Sequence, residues 1–391
     1  MNEYTKFKKA VPPYEKSKYI IDAKMEKYRY HLGDGDMWPL TWGEDDNLYG
    51  AAGDNRKSPM NFWRIQGEPD KPLNEDNFNS FWGFLQAMCV MDCVNNLPVD
   101  PLDVLKDLPD VHITHGLKPA SLLDIAGTMF MAAETINYGT DPKFTRQTNT
   151  NGFIVVSKDY GLTWKHATPI NFFTGRLSSC HFIQYGKGYR GNRDNYVYAY
   201  FPCGFDGKSY WENGDCMLLG RVPYNRFDYY SILRREQWEF FTGLENNEPQ
   251  WNKDDTLASP VFTYEKMCGE NHVSYNPYIG RYLLGNYSFI DDDMHPRPNH
   301  QGIWPESAIR SQLTCYEAPE PWGPWSLFYQ DDDWGTYGNY QPSFPTKWMF
   351  NNGRTMLVVS SGTFDDYNFV YQRMDIQLAN ECKYIICNRR E

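Results

Sequence analysis

No apolar run in this 391-residue chain approaches the roughly 20 residues that cross a bilayer as a helix. The start of the chain, from Met1 through Lys6, Lys8, Lys9, Pro12 and Pro13, lacks the apolar core of a secretory signal. A cytoplasmic protein is therefore expected, with a secreted chain shown without its leader as the alternative. Positive charge is in deficit: 38 Lys+Arg against 50 Asp+Glu leave a net charge of −12. That balance argues against a nucleic-acid-coating surface, so neither nucleic acid nor membrane is expected as a partner. The nine cysteines include no Cys-x-x-Cys pair and are odd in number. They read as reduced thiols rather than a disulfide framework or a zinc site. A Gly-rich phosphate loop, a nucleophile elbow and a Cys/His nucleophile pair are also missing, which leaves nucleotide and serine-hydrolase chemistry without support.

Helical periodicity is scarce as well. One segment, 79–93, reads as a short helix on the spacing of Phe81, Phe84, Leu85, Met88, Val90 and Met91. Elsewhere short β-branched and aromatic runs are cut by Gly, Asn, Asp and Pro, and aromatics make up 17% of the chain. This is an all-β pattern. Five segments share one form, strand–tight turn–strand: 39–53, 120–133, 180–200, 272–286 and 346–361. Further strands are expected at 154–164, 217–223, 237–241, 313–328 and 369–376. Two hairpins per repeat make a four-stranded antiparallel blade. The reading is a single β-propeller with five blades, six or seven being the alternatives, and one short helical insertion. Residues 1–30 form an N-terminal extension packing on the propeller, and 31–391 the propeller itself, with an insertion at about 61–110.

The run Ser157, Asp159, Gly161, Thr163 and Trp164 matches the Asp box, Ser-x-Asp-x-Gly-x-Thr-Trp, complete. Its chemistry is local: Asp159 caps the turn, Gly161 supplies positive φ, and Trp164 packs between blades. No catalytic role is expected of Asp159. Two further phrases carry a resemblance. One runs from Gly33 through Asp36, Trp38 and Trp42 to Tyr49. The other spans Pro319, Pro321, Trp322, Pro324 and Trp325, with Phe344 to Met349 later. Together they resemble the sialidase-like (Asp-box) β-propeller carbohydrate-active enzymes, the group with endo-D-arabinanase relatives and, more distantly, ulvan and rhamnose–glucuronate lyases. The resemblance covers about 31–376. It implies a propeller acting on a carbohydrate and does not choose between hydrolysis and elimination.

Propeller sites lie on the axis, so polar residues just before each inner strand are the candidates. Glycoside hydrolysis needs two carboxyl groups, and Asp36 and Glu270 are the acids on separate inner-strand entries, with Asp34 able to replace Asp36. Trp38 would wall the site and raise one carboxyl's pKa. Lys118, Arg176 and Lys347 would bind substrate as a basic ring, with His115 or His272 as the base of a β-elimination at a uronate. His181, Tyr340 and Gln341 occupy equivalent positions. The long stretch 290–308 reads as a functional rim, with Trp304, His295 and His300 placed to contact sugar. No cofactor is required. A structural Ca²⁺ is conceivable at Asp291, Asp292 and Asp293 with His295, or at Asp331, Asp332 and Asp333, though solvated loops are the plainer reading. The expected function is a glycoside hydrolase using paired carboxylates on a carbohydrate substrate, possibly acidic. A polysaccharide lyase and a non-catalytic sugar-binding propeller are the alternatives.

Overall fold

The computed structural model describes residues 9–27, 29–32, 35–53, 60–66, 86–92, 116–137, 148–164, 166–225, 230–291, 294, 310–336, 339–362 and 368–379. Among these there is no α-helix, only strands and short 3₁₀ turns. No helix of the described residues is long and apolar enough to cross a membrane.

Five strands form a closed ring: Asp36–Trp42, Leu117–Ile125, His181–Phe182, His272–Asn276 and Tyr340–Ser343. Each touches the next, and the fifth touches the first. Hydrogen bonds stitch the ring. Asp124 N–H donates to Thr41 Oγ1 at 2.9 Å, Phe182 N–H to Ser121 Oγ at 2.9 Å, and Gln184 N–H to the Val273 carbonyl at 3.0 Å. Such bonds satisfy polar groups that the packed centre would otherwise leave without water.

Each ring strand opens an antiparallel array running outwards. The first is Asp36–Trp42, Leu48–Gly53, Met60–Gln66 and Gln86–Asp92. The second is Leu117–Ile125, Thr128–Asn137, Thr148–Ser157 and His166–Ala167. The third runs His181–Phe182, Tyr196–Cys203, Gly214–Pro223 and Glu239–Glu245, with Glu248–Asn252 beyond. The fourth is His272–Asn276, Arg281–Ile290, Arg310–Ala318 and Ser326–Thr336. The fifth is Tyr340–Ser343, Thr355–Ser361, Phe369–Leu378 and, from the start of the chain, Ile20–Met25. The short strand Ser209–Tyr210 pairs with both Thr148–Ser157 and Tyr196–Cys203 and merges the second and third arrays into one sheet.

The strands near the axis are covered on both faces, so even their polar residues are buried. Leu117–Ile125 is buried at all nine positions. Aromatic rings fill the wedges between arrays. Trp38 packs on Phe369 with centroids 5.2 Å apart, joining first and fifth, and Trp164 meets Phe62 at 5.4 Å, joining second and first.

The segment 79–93, expected as a helix, contributes the strand Gln86–Asp92, paired with Met60–Gln66; residues 79–85 and 93 lie outside the described residues. Pairing with a neighbouring strand outweighs the local helical spacing. The fifth ring strand is Tyr340–Ser343, upstream of the expected 346–361 hairpin; Met349–Phe350 also pairs with Thr355–Ser361 but farther along it. Asp331, Asp332 and Asp333 lie in the strand Ser326–Thr336, not in a loop. Asp331 accepts from the Asp333 N–H and Asp332 from Gln312 and Gln330.

Candidate active site

Asp36 begins the first ring strand and is buried. Lys118 Nζ lies 3.3 Å from its Oδ1, and the Tyr340 hydroxyl donates to Oδ2 at 3.0 Å. Three arrays thus meet on one carboxylate. The fit is tight. A Cβ added to Gly53, the backbone partner of Asp36, would stand 2.5 Å from Asp36 Oδ1 and 2.9 Å from Lys118 Cδ. The backbone around the carboxylate is unusual too. Met37 (φ 76°), Trp38 (φ 55°) and Gln341 (φ 51°) occupy the left-handed region beside bulges in the first and fifth ring strands. Side-chain-bearing residues held there cost of order 1–3 kcal/mol each, and such residues cluster at functional sites.

Glu270 is fully buried just ahead of the fourth ring strand. Its Oε1 accepts from Asn149 Nδ2 at 2.7 Å and Ser179 Oγ at 2.9 Å, and its Oε2 from Gln341 Nε2 at 2.6 Å. Its own N–H donates to the Trp211 carbonyl at 3.0 Å. Glu134, also fully buried, stands opposite Lys118 in the second array. Ligand atoms of Glu134, His181 and Glu270 all lie within 4.8 Å of one another. Burial first, and then the charge of Glu270, hold the Glu134 carboxyl well above the usual carboxylate range. Burial raises Glu270 as well, opposed by hydrogen bonds from Glu134, Ser179, Asn149 and Gln341. Burial and the neighbouring charge thus favour the protonated form most strongly at Glu134, while the bonds to Glu270 favour its carboxylate.

His181 and His272 stack edge to face with centroids 5.1 Å apart. His181 Nε2 is 2.6 Å from Ser179 Oγ. Burial drives His181 well below the usual imidazole range and His272 down to about 4, so both rings are neutral at physiological pH. Glu134, His181 and Glu270 are also the described residues whose donor atoms could hold a metal ion.

Of the expected site residues, Asp36, Lys118 and Tyr340 converge at one carboxylate, and Glu270 and His272 lie in the neighbouring acid–imidazole cluster. Trp38, expected as a wall of the site, has its Nε1 donating to the Gly35 carbonyl at 2.8 Å and its ring in the seam between first and fifth arrays. The basic ring does not assemble. The Arg176 guanidinium donates to the backbone carbonyls of Asp255 and Ala258 on the third array. Lys347 reaches the Asp46 carbonyl and carboxylate and lies over Trp42, at the opposite end of the strand that Asp36 begins. Asp34, His115, His295, His300 and Trp304 lie outside the described residues.

Glu134, Asn149 and Ser179 escaped the sequence reading. The first two sit on second and third strands, whereas the search covered only entries to inner strands. The available signal for Glu134 was an acid inside the apolar strand Thr128–Asn137. A separate cleft of about 1050 Å³ opens at the other end of the same hairpin, lined by Ala126, Arg190, Asn192, Tyr224 and Arg234 among others and by none of these carboxyl groups.

No protein-family model matches the sequence, and no curated protein matches it significantly. Solved structures with a similar trace include a GH43_1 enzyme from Xanthomonas citri complexed with xylose (11% identity, 96% of this chain and 94% of that one, TM-score 0.41). A xylan β-1,4-xylosidase from Bacillus halodurans is similar at 10% identity, 90% of this chain and 53% of that one, with a TM-score of 0.42. An exo-β-1,3-galactanase from Phanerochaete chrysosporium, bound to β-1,3-galactotriose, is similar at 9% identity, 92% and 67% coverage and a TM-score of 0.43.

Proposed function

We propose that the chain is a five-bladed β-propeller and a glycoside hydrolase acting on a carbohydrate at the end of the ring marked by Asp36. The observation that supports this most is the division of labour between buried carboxyl groups. Glu134 favours its protonated form beside Glu270, and Asp36 pairs with Lys118 and Tyr340. Cleaving a glycosidic bond needs one group to protonate the leaving oxygen and another to act as base or nucleophile. Environments that push two acids apart in pKa are how proteins assign those roles. Glu134 is the donor in this reading, Glu270 the carboxylate that holds its proton in place, and Asp36 the base.

Elimination at a uronate has less support. It needs cations free to neutralise the substrate carboxylate, and of the three expected, Arg176 and Lys347 are engaged elsewhere. A base as weak as His272, with its pKa near 4, would also remove a carbon-bound proton poorly.

The test is a screen of oligo- and polysaccharides read both by new reducing ends and by the ultraviolet absorbance of an unsaturated uronate. On the substrate so found, Glu134→Gln and Asp36→Asn should each lose roughly 10²–10⁴-fold in rate, while Arg176→Ala stays near wild type. Unsaturated products would replace hydrolysis with elimination. Full activity in both acid variants would remove these residues from the chemistry.

A further inference from the structure

Cys203 ends the strand Tyr196–Cys203, and Cys216 stands directly opposite it in Gly214–Pro223. The two sulfurs are 3.6 Å apart, and both side chains are buried. Between them, residues 204–215 form a connection that reaches the acid cluster. Ser209 pairs with Asn149 through the backbone, and Asn149 Nδ2 donates both to Ser209 Oγ at 3.3 Å and to Glu270 Oε1 at 2.7 Å. The Trp211 carbonyl accepts the Glu270 N–H, and the Tyr287 hydroxyl donates to that same carbonyl. The connection thus supports Glu270 from two sides, while its tip, at Phe205, is exposed.

We propose that Cys203 and Cys216 form a disulfide when the chain meets a small-molecule disulfide such as oxidised glutathione, and that this bond fastens the 204–215 connection. One cysteine thiolate attacks the oxidant's S–S bond and releases one small thiol, leaving a mixed disulfide. The second cysteine then displaces the other small thiol. The two cysteines lose two electrons and two protons in all. The oxidant gains both electrons, and the two small thiolates released take up the protons. Closing the bond brings the sulfurs to about 2.05 Å, a shift that side-chain rotation in an antiparallel pair can supply. The neighbouring sulfur of Cys216 and burial push the Cys203 thiol up, so exchange in the folded chain is slow and needs the exposed tip to open. The same burial protects the bond once made. Cys268 is the competing partner, because its strand, Phe262–Cys268, pairs with Gly214–Pro223. The bond's formation does not rest on the proposed hydrolase reading.

The intact chain is incubated with oxidised or reduced glutathione, quenched in acid, unfolded, alkylated, digested and analysed by mass spectrometry. The expected result is two fewer alkylated cysteines after oxidation, a linked peptide joining Cys203 to Cys216, and a higher melting temperature than the reduced form. Cys203→Ala, with Cys203→Ser as a second variant in case the first folds poorly, should abolish both the link and the shift. Full alkylation after oxidation, or a link from Cys216 to Cys268, would overturn the proposal. It would also fail if the link formed without any rise in melting temperature, since the connection would then not be fastened. None of these outcomes depends on finding a substrate.

Discussion

Gly53 shows how closely a single atom is policed around Asp36. Its missing Cβ leaves room for both the carboxylate and the Lys118 stem. Gly53→Ala should therefore displace Asp36 and lower turnover by at least about tenfold, since small misplacements of reacting groups are costly. The melting temperature should fall far less than a core truncation would cause; unchanged turnover would mean that Asp36 can shift without penalty. Asp124, at the far end of the same ring strand as Lys118, poses a different question. Burial, and to a lesser degree the charge of Asp45, raise its pKa to about 7, against the bond from the Gly127 N–H; the Glu44 N–H also donates to it. The folded chain binds this proton more tightly than the unfolded one, whose value is near 3.8. Stability contributed by Asp124 is then lost as pH rises from 3.8 to about 7, and the penalty is complete above that. Asp124→Asn keeps the acceptor oxygen and should be more stable than wild type above pH 7, by an amount that shrinks as pH falls. Urea midpoints measured along a pH series would show it; a constant difference would mean that Asp124 is already ionised at low pH.

The turn after Thr148–Ser157 illustrates which elements could be read in advance. Asp159 accepts from the Thr163 N–H at 2.8 Å and from Ser157 Oγ at 2.7 Å, while Gly161 (φ 85°) passes under Phe62. Asp159→Ala should cost roughly 1–2 kcal/mol, the scale of a lost cap, with turnover unchanged. Lost turnover at wild-type melting temperature would instead tie this turn to the chemistry. Turns and hairpins were legible because their signals are local: Ala126 and Gly127 both take positive φ, as a two-residue hairpin turn requires. Gln86–Asp92 was not, because methionine and valine at helical spacing also suit a strand, and only the partner Met60–Gln66 decides. The candidate site divides in the same way. Asp36 and Glu270 stand beside inner strands and could be placed by counting repeats. Glu134 reaches Glu270 across arrays, a contact with no trace in local spacing. Arg176 and Lys347 carried the right charge at plausible positions, but nearer carbonyls and carboxylates captured them.

Across the molecule, the ring is fastened by pairing Ile20–Met25 with Phe369–Leu378, from Ile20 opposite Leu378 to Met25 opposite Met374. Ile20 is 1% exposed and packs in one cluster with Met374, Ile376 and Leu378. Deleting residues 9–25 would bare the Met374–Leu378 part of that edge, an open template for another chain, while Tyr30–Leu32 still pairs with residues 369–371. Aggregation and a markedly lower melting temperature are expected by light scattering and calorimetry; a soluble variant with wild-type melting would show that the other four arrays hold the ring alone. The seam also sets an order of events during synthesis. Ile20–Met25 leaves the ribosome more than 300 residues before the strand it must meet. A translating chain can assemble its hairpins as they emerge, yet it carries an unmatched strand until the last array is made. Pauses late in translation would then lengthen the interval in which chaperones, rather than the fold, must shield that strand.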